Sequence, residues 1–103
     1  MNGFVLHPDA YRDLDEIWEF IAAENQQAAD RVVDEIYEKV RRLVRFPRQG
    51  HRRPELTSRP LRFQIVRDLL IAYAPEEKPL VVIAVIHGRR NPRVIAAILR
   101  GRE

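Results

Sequence analysis

His87, Gly88, Arg89 and Arg90 stand in immediate succession where the longest apolar stretch of the chain ends, and Asn91-Pro92 follows as an opening for a helix. These residue types suit anion chemistry. A histidine can exchange a proton near neutral pH, and two arginines offer bidentate forks to phosphate or carboxylate. Glycine allows the backbone a close approach, and the first turn of a helix has free amides for an anion. The plainer reading is a strand-to-helix turn with a surface arginine pair, in which His87 is a hydrogen-bonded structural residue. Arg62 and Arg67, on a hairpin, could point from an uncovered sheet face toward Arg89, with Arg48, Arg52, Arg53 and Arg59 on the rim. Such a surface would suit phosphates or an acidic peptide. Arg41, Arg42 and Arg45 fall in the last turn of a helix, where positive charge complements the dipole. Tyr73 and Tyr37 are the other side chains to watch. Trp18, Phe20, Phe63 and Tyr73 are better placed as core than as stacking platforms.

The charge on the chain is divided. Residues 1–40 hold three basic and ten acidic side chains, whereas residues 41–103 hold fifteen basic ones, fourteen of them arginine, against five acidic. A total of +3 therefore conceals a strongly cationic half, one fit to meet a polyanion. At 103 residues the chain is read as a single domain, 1–103, with an apolar share of 46% that suits a packed core. The absence of cysteine leaves no disulfide framework or thiolate and agrees with a reducing cytoplasm. No leader pattern precedes Leu6, and the run Leu80 to Ile86 is too short for a membrane span. The histidines at 7, 51 and 87 lack ligand spacing, so neither metal nor cofactor is expected. No glycine-rich phosphate loop or nucleophile triad is recognisable.

Periodicity supplies the elements that must position these residues. Gly3 to Leu6 reads as a strand. Pro8 then opens a helix in which Tyr11, Leu14, Ile17, Trp18 and Ile21 recur at helical spacing to about Glu24. Asn25 is an N-cap for a second helix, with Ala29, Val32, Val33, Ile36, Val40, Leu43 and Val44 on one stripe, which must stop before Pro47. The acidic residues of both helices read as a solvated surface. Phe46 to Pro60 is an ordered or semi-ordered loop. Leu61, Phe63 and Ile65 then alternate as a strand, Arg67-Asp68 turns, and Leu69 to Ala74 returns. Leu80 to His87 is apolar on both faces and suits a covered central strand. Asn91 and Pro92 begin a short helix with Val94, Ile95, Ile98 and Leu99 buried. The predicted class is α+β in the order β-α-α-β-β-β-α.

Taken in order, these residues resemble the ParE side of the RelE/ParE toxin superfamily. The resemblance rests on His7-Pro8-Asp9-Ala10, Asp13-Leu14-Asp15-Glu16-Ile17, Ala28-Ala29-Asp30-Arg31-Val32 and Phe46-Pro47-Arg48-Gln49-Gly50. It continues through Pro54-Glu55-Leu56, Leu61-Arg62, Leu70-Ile71-Ala72-Tyr73 and Val85-Ile86-His87-Gly88-Arg89-Arg90, and so spans nearly the whole chain. It implies a helical hairpin packed on a twisted antiparallel sheet with a short C-terminal helix. It implies the toxin of a type II toxin-antitoxin module, of the plasmid-stabilisation kind, neutralised by a ParD-like antitoxin and acting on DNA gyrase in the cytoplasm. No membrane partner and no direct sequence-specific nucleic-acid binding are expected.

RelE-branch relatives instead cut mRNA in the ribosome, which needs an acid, a base and cations at the phosphate. Here the stretch Val94 to Glu103 offers Arg100 and Arg102 but no tyrosine or histidine. That departure favours a binding inhibitor without catalytic residues, with Arg62, Arg67, His87, Arg89 and Arg90 as target or phosphate contacts. The alternative is a ribosome-dependent endonuclease using His87, Tyr73 and Arg89. The antitoxin-binding residues are not assigned by the sequence.

Overall fold

Each helix starts where a side chain can satisfy its first amides. The computed structural model of the protein describes residues 3–103; Met1 and Asn2, the start of the segment read for a leader, lie outside them. Strand β1, Phe4–Leu6, runs directly into helix α1, Pro8–Ala22. His7 Nδ1 accepts from the Asp9 amide at 3.0 Å, and Pro8 occupies the first turn, where its missing N–H costs nothing. Asn25 Oδ1 accepts from the Ala28 amide at 3.0 Å and opens α2, Gln26–Arg45, which ends just short of Phe46-Pro47. After the loop come β2, Arg62–Val66, β3, Leu69–Ala74, and β4, Leu80–His87. Asn91 Oδ1 accepts from the Arg93 amide at 2.9 Å to start α3, Pro92–Arg100.

The four strands lie in the order β1-β4-β3-β2. As expected, β2, β3 and β4 pair antiparallel in sequence. The departure is β1, which joins β4 in parallel, so the sheet is mixed. The helical hairpin carries the chain from β1 to β2 at the opposite edge, and β2 and β3 then lead back to β4. It covers one face, where Leu14, Ile17, Val32, Ile36, Val40 and Leu43 pack on Ile71, Tyr73, Val82 and Val85. On the other face, Ile95 and Leu99 of α3 and Leu56 of the loop cover Phe63, Leu70, Ala72 and Ile86. Strands β3 and β4 are therefore buried on both sides, which explains their nearly continuous apolar sequence.

A register shift lies between Ala72, opposite Ala84, and Tyr73, opposite Val82. Ile83 is the extra residue, and it breaks the alternation of β4 so that Ile83 and Ala84 both join the α3 side. Coverage by α3 is incomplete. Ile65, expected to be inward with Leu61 and Phe63, is 60% exposed because neither α3 nor the loop reaches it. Phe20 and Trp18 also depart from the expected core. Phe20 sits beside the Leu14–Ile17–Ile21 stripe near the end of α1 and is 78% exposed. Trp18 is half-buried and uses its indole N–H on Asp30 at 2.8 Å, tying α1 to α2.

Candidate functional site

His87 closes β4 opposite Leu69, which places it beside the β2–β3 turn. That turn is tight because Arg67 takes a left-handed conformation, φ 58°. The Gly88 amide donates to the Asp68 carbonyl at 2.9 Å, and His87 Nδ1 lies 3.8 Å from the Asp68 carboxylate. Arg67 is directed to α2, where Nε and Nη2 grip the Glu35 carboxylate at 2.9 and 2.8 Å. That hydrogen-bonded fork holds the Glu35 carboxyl below its ordinary range and raises the guanidinium of Arg67.

Together Arg67, Asp68 and His87 rim a cavity of about 190 Å³ whose walls are Ile17, Phe20, Ile21, Val32 and Leu69. Arg89 and Arg90 continue from it on an exposed turn, closed by the Arg90 amide donating to the His87 carbonyl at 3.2 Å. Arg90 borders a second hollow, against Asp13, Glu16 and Arg102. Apolar walls, an exposed phenyl ring and a cationic turn thus meet at one end of the sheet.

Arg62 and Tyr73 do not belong to that end. They pair with each other across β2 and β3, four residues along β3 from Leu69, roughly 13 Å at the usual rise. Arg62 Nη1 donates to the Gly50 carbonyl at 2.8 Å and weakly to that of Arg48 at 3.4 Å. Tyr73 is fully buried; its hydroxyl donates to the Pro47 carbonyl at 2.7 Å and accepts from the Gly50 amide at 3.0 Å. The grouping of His87, Tyr73 and Arg89, and the convergence of Arg62 on Arg89, are both corrected by this register. The sheet face expected to be open is covered in part by α3 and by Leu56 of the loop.

The loop arginines are mostly engaged. Arg53 meets Glu55 at 2.6 Å and Arg48 meets Glu76 at 3.5 Å. Arg59 Nη1 donates to the carbonyls of Leu99 and Arg102, at 3.0 Å each, and so caps the C-terminal end of α3. Tyr37 is half-buried at the helix interface, against Phe4 at 6.2 Å between ring centroids. Burial, with Tyr11 and Asp15 nearby, raises its phenol above the ordinary value. Among the described residues no three histidine, aspartate or glutamate side chains gather as a metal site, and no helix is long and apolar enough to cross a membrane.

One group passed unnoticed in the sequence. Asp13, read as part of a solvated helix face, is buried, and its Oδ1 accepts from Arg102 Nη2 at 2.8 Å. Its Oδ2 accepts from a second guanidinium nitrogen of Arg102 and from the Val85 amide at 2.9 Å. Arg102 also donates to the Ile83 carbonyl at 3.2 Å, so the pair satisfies β4 backbone groups beyond the end of β1. The hydrogen bonds to Asp13 raise the Arg102 guanidinium above its ordinary value.

A family model described as "ParE toxin of type II toxin-antitoxin system, parDE" matches residues 4–92, from the first strand through the cationic turn. The chain belongs to the ParE toxin family. It is therefore the toxin of a type II toxin-antitoxin module, a class that pairs with antitoxins. No curated protein matches it.

In this ParE-family toxin the buried phenol of Tyr73 anchors the post-helix loop. Gly50 is required beside it, because a Cβ there would lie 2.6 Å from the Tyr73 hydroxyl oxygen and 2.7 Å from the Phe63 carbonyl oxygen. Tyr73→Phe strands the Gly50 amide and the Pro47 carbonyl, at an expected cost of about 1–3 kcal/mol in urea unfolding. Burial raises the Tyr73 phenol above its ordinary 10.0. An acid whose folded-state pKa is raised favours the native state while protonated, so its contribution is intact below pH 10.0 and lost as pH climbs toward the folded value. In Tyr73→Phe the part of the alkaline decline due to this group should disappear. An unchanged alkaline limb would show that the phenol ionises freely in the native state.

Proposed function

We propose that this toxin acts by binding DNA gyrase and trapping it on cleaved DNA, and that a ParD-like antitoxin neutralises it. The observation that carries this reading is the division of the polar groups between the two ends of the sheet. His87 sits roughly 13 Å from Tyr73, and the Tyr73 hydroxyl already has two backbone partners. RNA cleavage would ask for an acid and a base on one phosphate, whereas the His87 end offers an arrangement suited to holding a protein. Its apolar cavity can receive a side chain, Phe20 can enter a partner, and Arg89 and Arg90 can meet acidic groups. Membership of the parDE family supports the ParD-like partner.

The test is a supercoiling and DNA-cleavage assay with purified gyrase, ATP and toxin, with and without antitoxin. Linear DNA should accumulate with toxin and fail to accumulate when antitoxin is added. Full gyrase activity at saturating toxin would end the gyrase reading. Codon-positioned cuts in toeprints of translating ribosomes would replace it with RNA cleavage.

A further inference from the structure

We propose that the C-terminal end of α2 carries a second binding surface, a sequence-independent site for nucleic-acid phosphates. Residues 41–62 contain eight arginines and a single acidic residue, Glu55. Arg53 is held by Glu55, and Arg59 by carbonyls at the end of α3. Of the rest, the fold gathers five around one loop, one of which, Arg42, is held by Gln49. Arg42 Nε donates to Gln49 Oε1 at 3.3 Å, and Arg42 and Arg45 lie over the Phe46 ring at 6.0 and 5.7 Å. Arg62 reaches the carbonyls of Gly50 and Arg48, which sets its guanidinium beside Arg48. Arg41 stands one helical turn before Arg45 on the same face.

Three features separate this patch from an ordinary solvated helix end. The helix dipole accounts for cations in the last turn of α2, but not for Arg48 and Arg62 beyond it. The cations are available: among the described residues Arg41 and Arg45 meet no carboxylate. Arg48 meets Glu76 only loosely, with side chains 76% and 67% exposed. The display is ordered in advance, because Tyr73 fixes Pro47 and Gly50 on either side of Arg48. Phe46 is 52% exposed with two guanidiniums over its ring, an arrangement suited to phosphates and a stacked base. An apolar cavity of about 610 Å³ lined by Phe4, Val5, Val44 and Pro47 adjoins it, so competition by polyglutamate is what separates phosphates from an acidic protein.

The surface is separate from the His87 end, and its test needs neither gyrase nor antitoxin. Purified full-length toxin would be titrated by fluorescence anisotropy into labelled duplex DNA, and into single-stranded RNA of equal length, between 50 and 200 mM salt. Four phosphate contacts on a duplex predict a log–log salt slope near −3.6, or roughly a 150-fold loss of affinity across that range. Arg41→Gln/Arg45→Gln, two exposed positions without ion pairs, should reduce that slope by about 2 and weaken binding at the lowest salt. Arg93→Gln/Arg100→Gln, equally exposed but on α3, should leave both unchanged. Tighter binding to the duplex would identify DNA as the source of the phosphates, and equal binding would identify the phosphodiester backbone of either polymer. No binding at 50 mM salt, an equal loss in the α3 variant, or equally effective competition by polyglutamate would overturn the proposal.

Discussion

Arg102→Met is expected to cost the toxin about 3–5 kcal/mol, the usual consequence of stranding a buried charge. Asp13 is only 9% exposed, and without the guanidinium its carboxylate would retain one partner, the Val85 amide. The Ile83 carbonyl would also lose the Arg102 donor. Since 1 kcal/mol moves the midpoint of a domain this size by about 4–8 °C, the melting temperature should fall by at least roughly 12 °C. Asp13→Asn should cost less, because the amide oxygen still accepts from Val85 or Arg102 and the guanidinium left behind keeps the Asp9 carboxylate as a partner 3.9 Å away. Asp13→Leu/Arg102→Met removes both charges but orphans the Val85 amide, so it should recover only part of the loss. Urea unfolding of wild type and the three variants measures these losses. A loss under about 1 kcal/mol for Arg102→Met would mean that water replaces the guanidinium freely.

The location of that pair explains what could and could not be seen in the sequence. Helix starts were legible because Asn25 and Asn91 accept from amides two or three residues away and Pro8 and Pro92 occupy first turns, and local contacts leave local marks. The covered central strand was legible because burial on two faces removes every polar residue from Leu80 to Ile86. By residue type alone Asp13 suits the solvated surface of α1. Its spacing from Ala10 and Ile17, three and four residues, already put it on the buried stripe. Its partner, eighty-nine residues away, had no such signal.

Register was the other obstacle. Arg62, Arg67, Tyr73 and His87 lie on adjoining strands, and only the pairing decides which share an end. Arg67 sits at the β2–β3 turn beside His87, while Arg62 and Tyr73 fall at the far end. The parallel partner of β1 was likewise a matter of crossover, invisible to the alternation of three residues. Phe20, expected in the core, lies beside the stripe that its helix buries and is exposed.

Arg89→Glu/Arg90→Glu should raise the toxin concentration needed for half-maximal gyrase-dependent DNA cleavage by at least about 30-fold, roughly 2 kcal/mol of lost binding. The expectation rests on the proposed gyrase reading and on the juxtaposition at the His87 end. Both arginines are exposed; reversal at Arg90 adds like-charge repulsion toward Asp13 and Glu16 across the hollow, so a modest loss of stability is expected beside the loss of potency. Against an acidic partner surface it replaces attraction by like-charge repulsion. Phe20→Ser, which removes an exposed ring from the wall of the cavity, should act in the same direction with a smaller loss. Circular dichroism and melting temperature establish that the variants are folded, and the wild-type titration establishes whether gyrase is the target at all. If wild type poisons gyrase and the folded charge-reversal variant does so equally well, the contact lies elsewhere on the toxin, and the turn after β4 is a structural connection between strand and helix. If the variant loses potency while Arg41→Gln/Arg45→Gln retains it, the two cationic patches have separate partners, one a protein and the other a phosphate backbone.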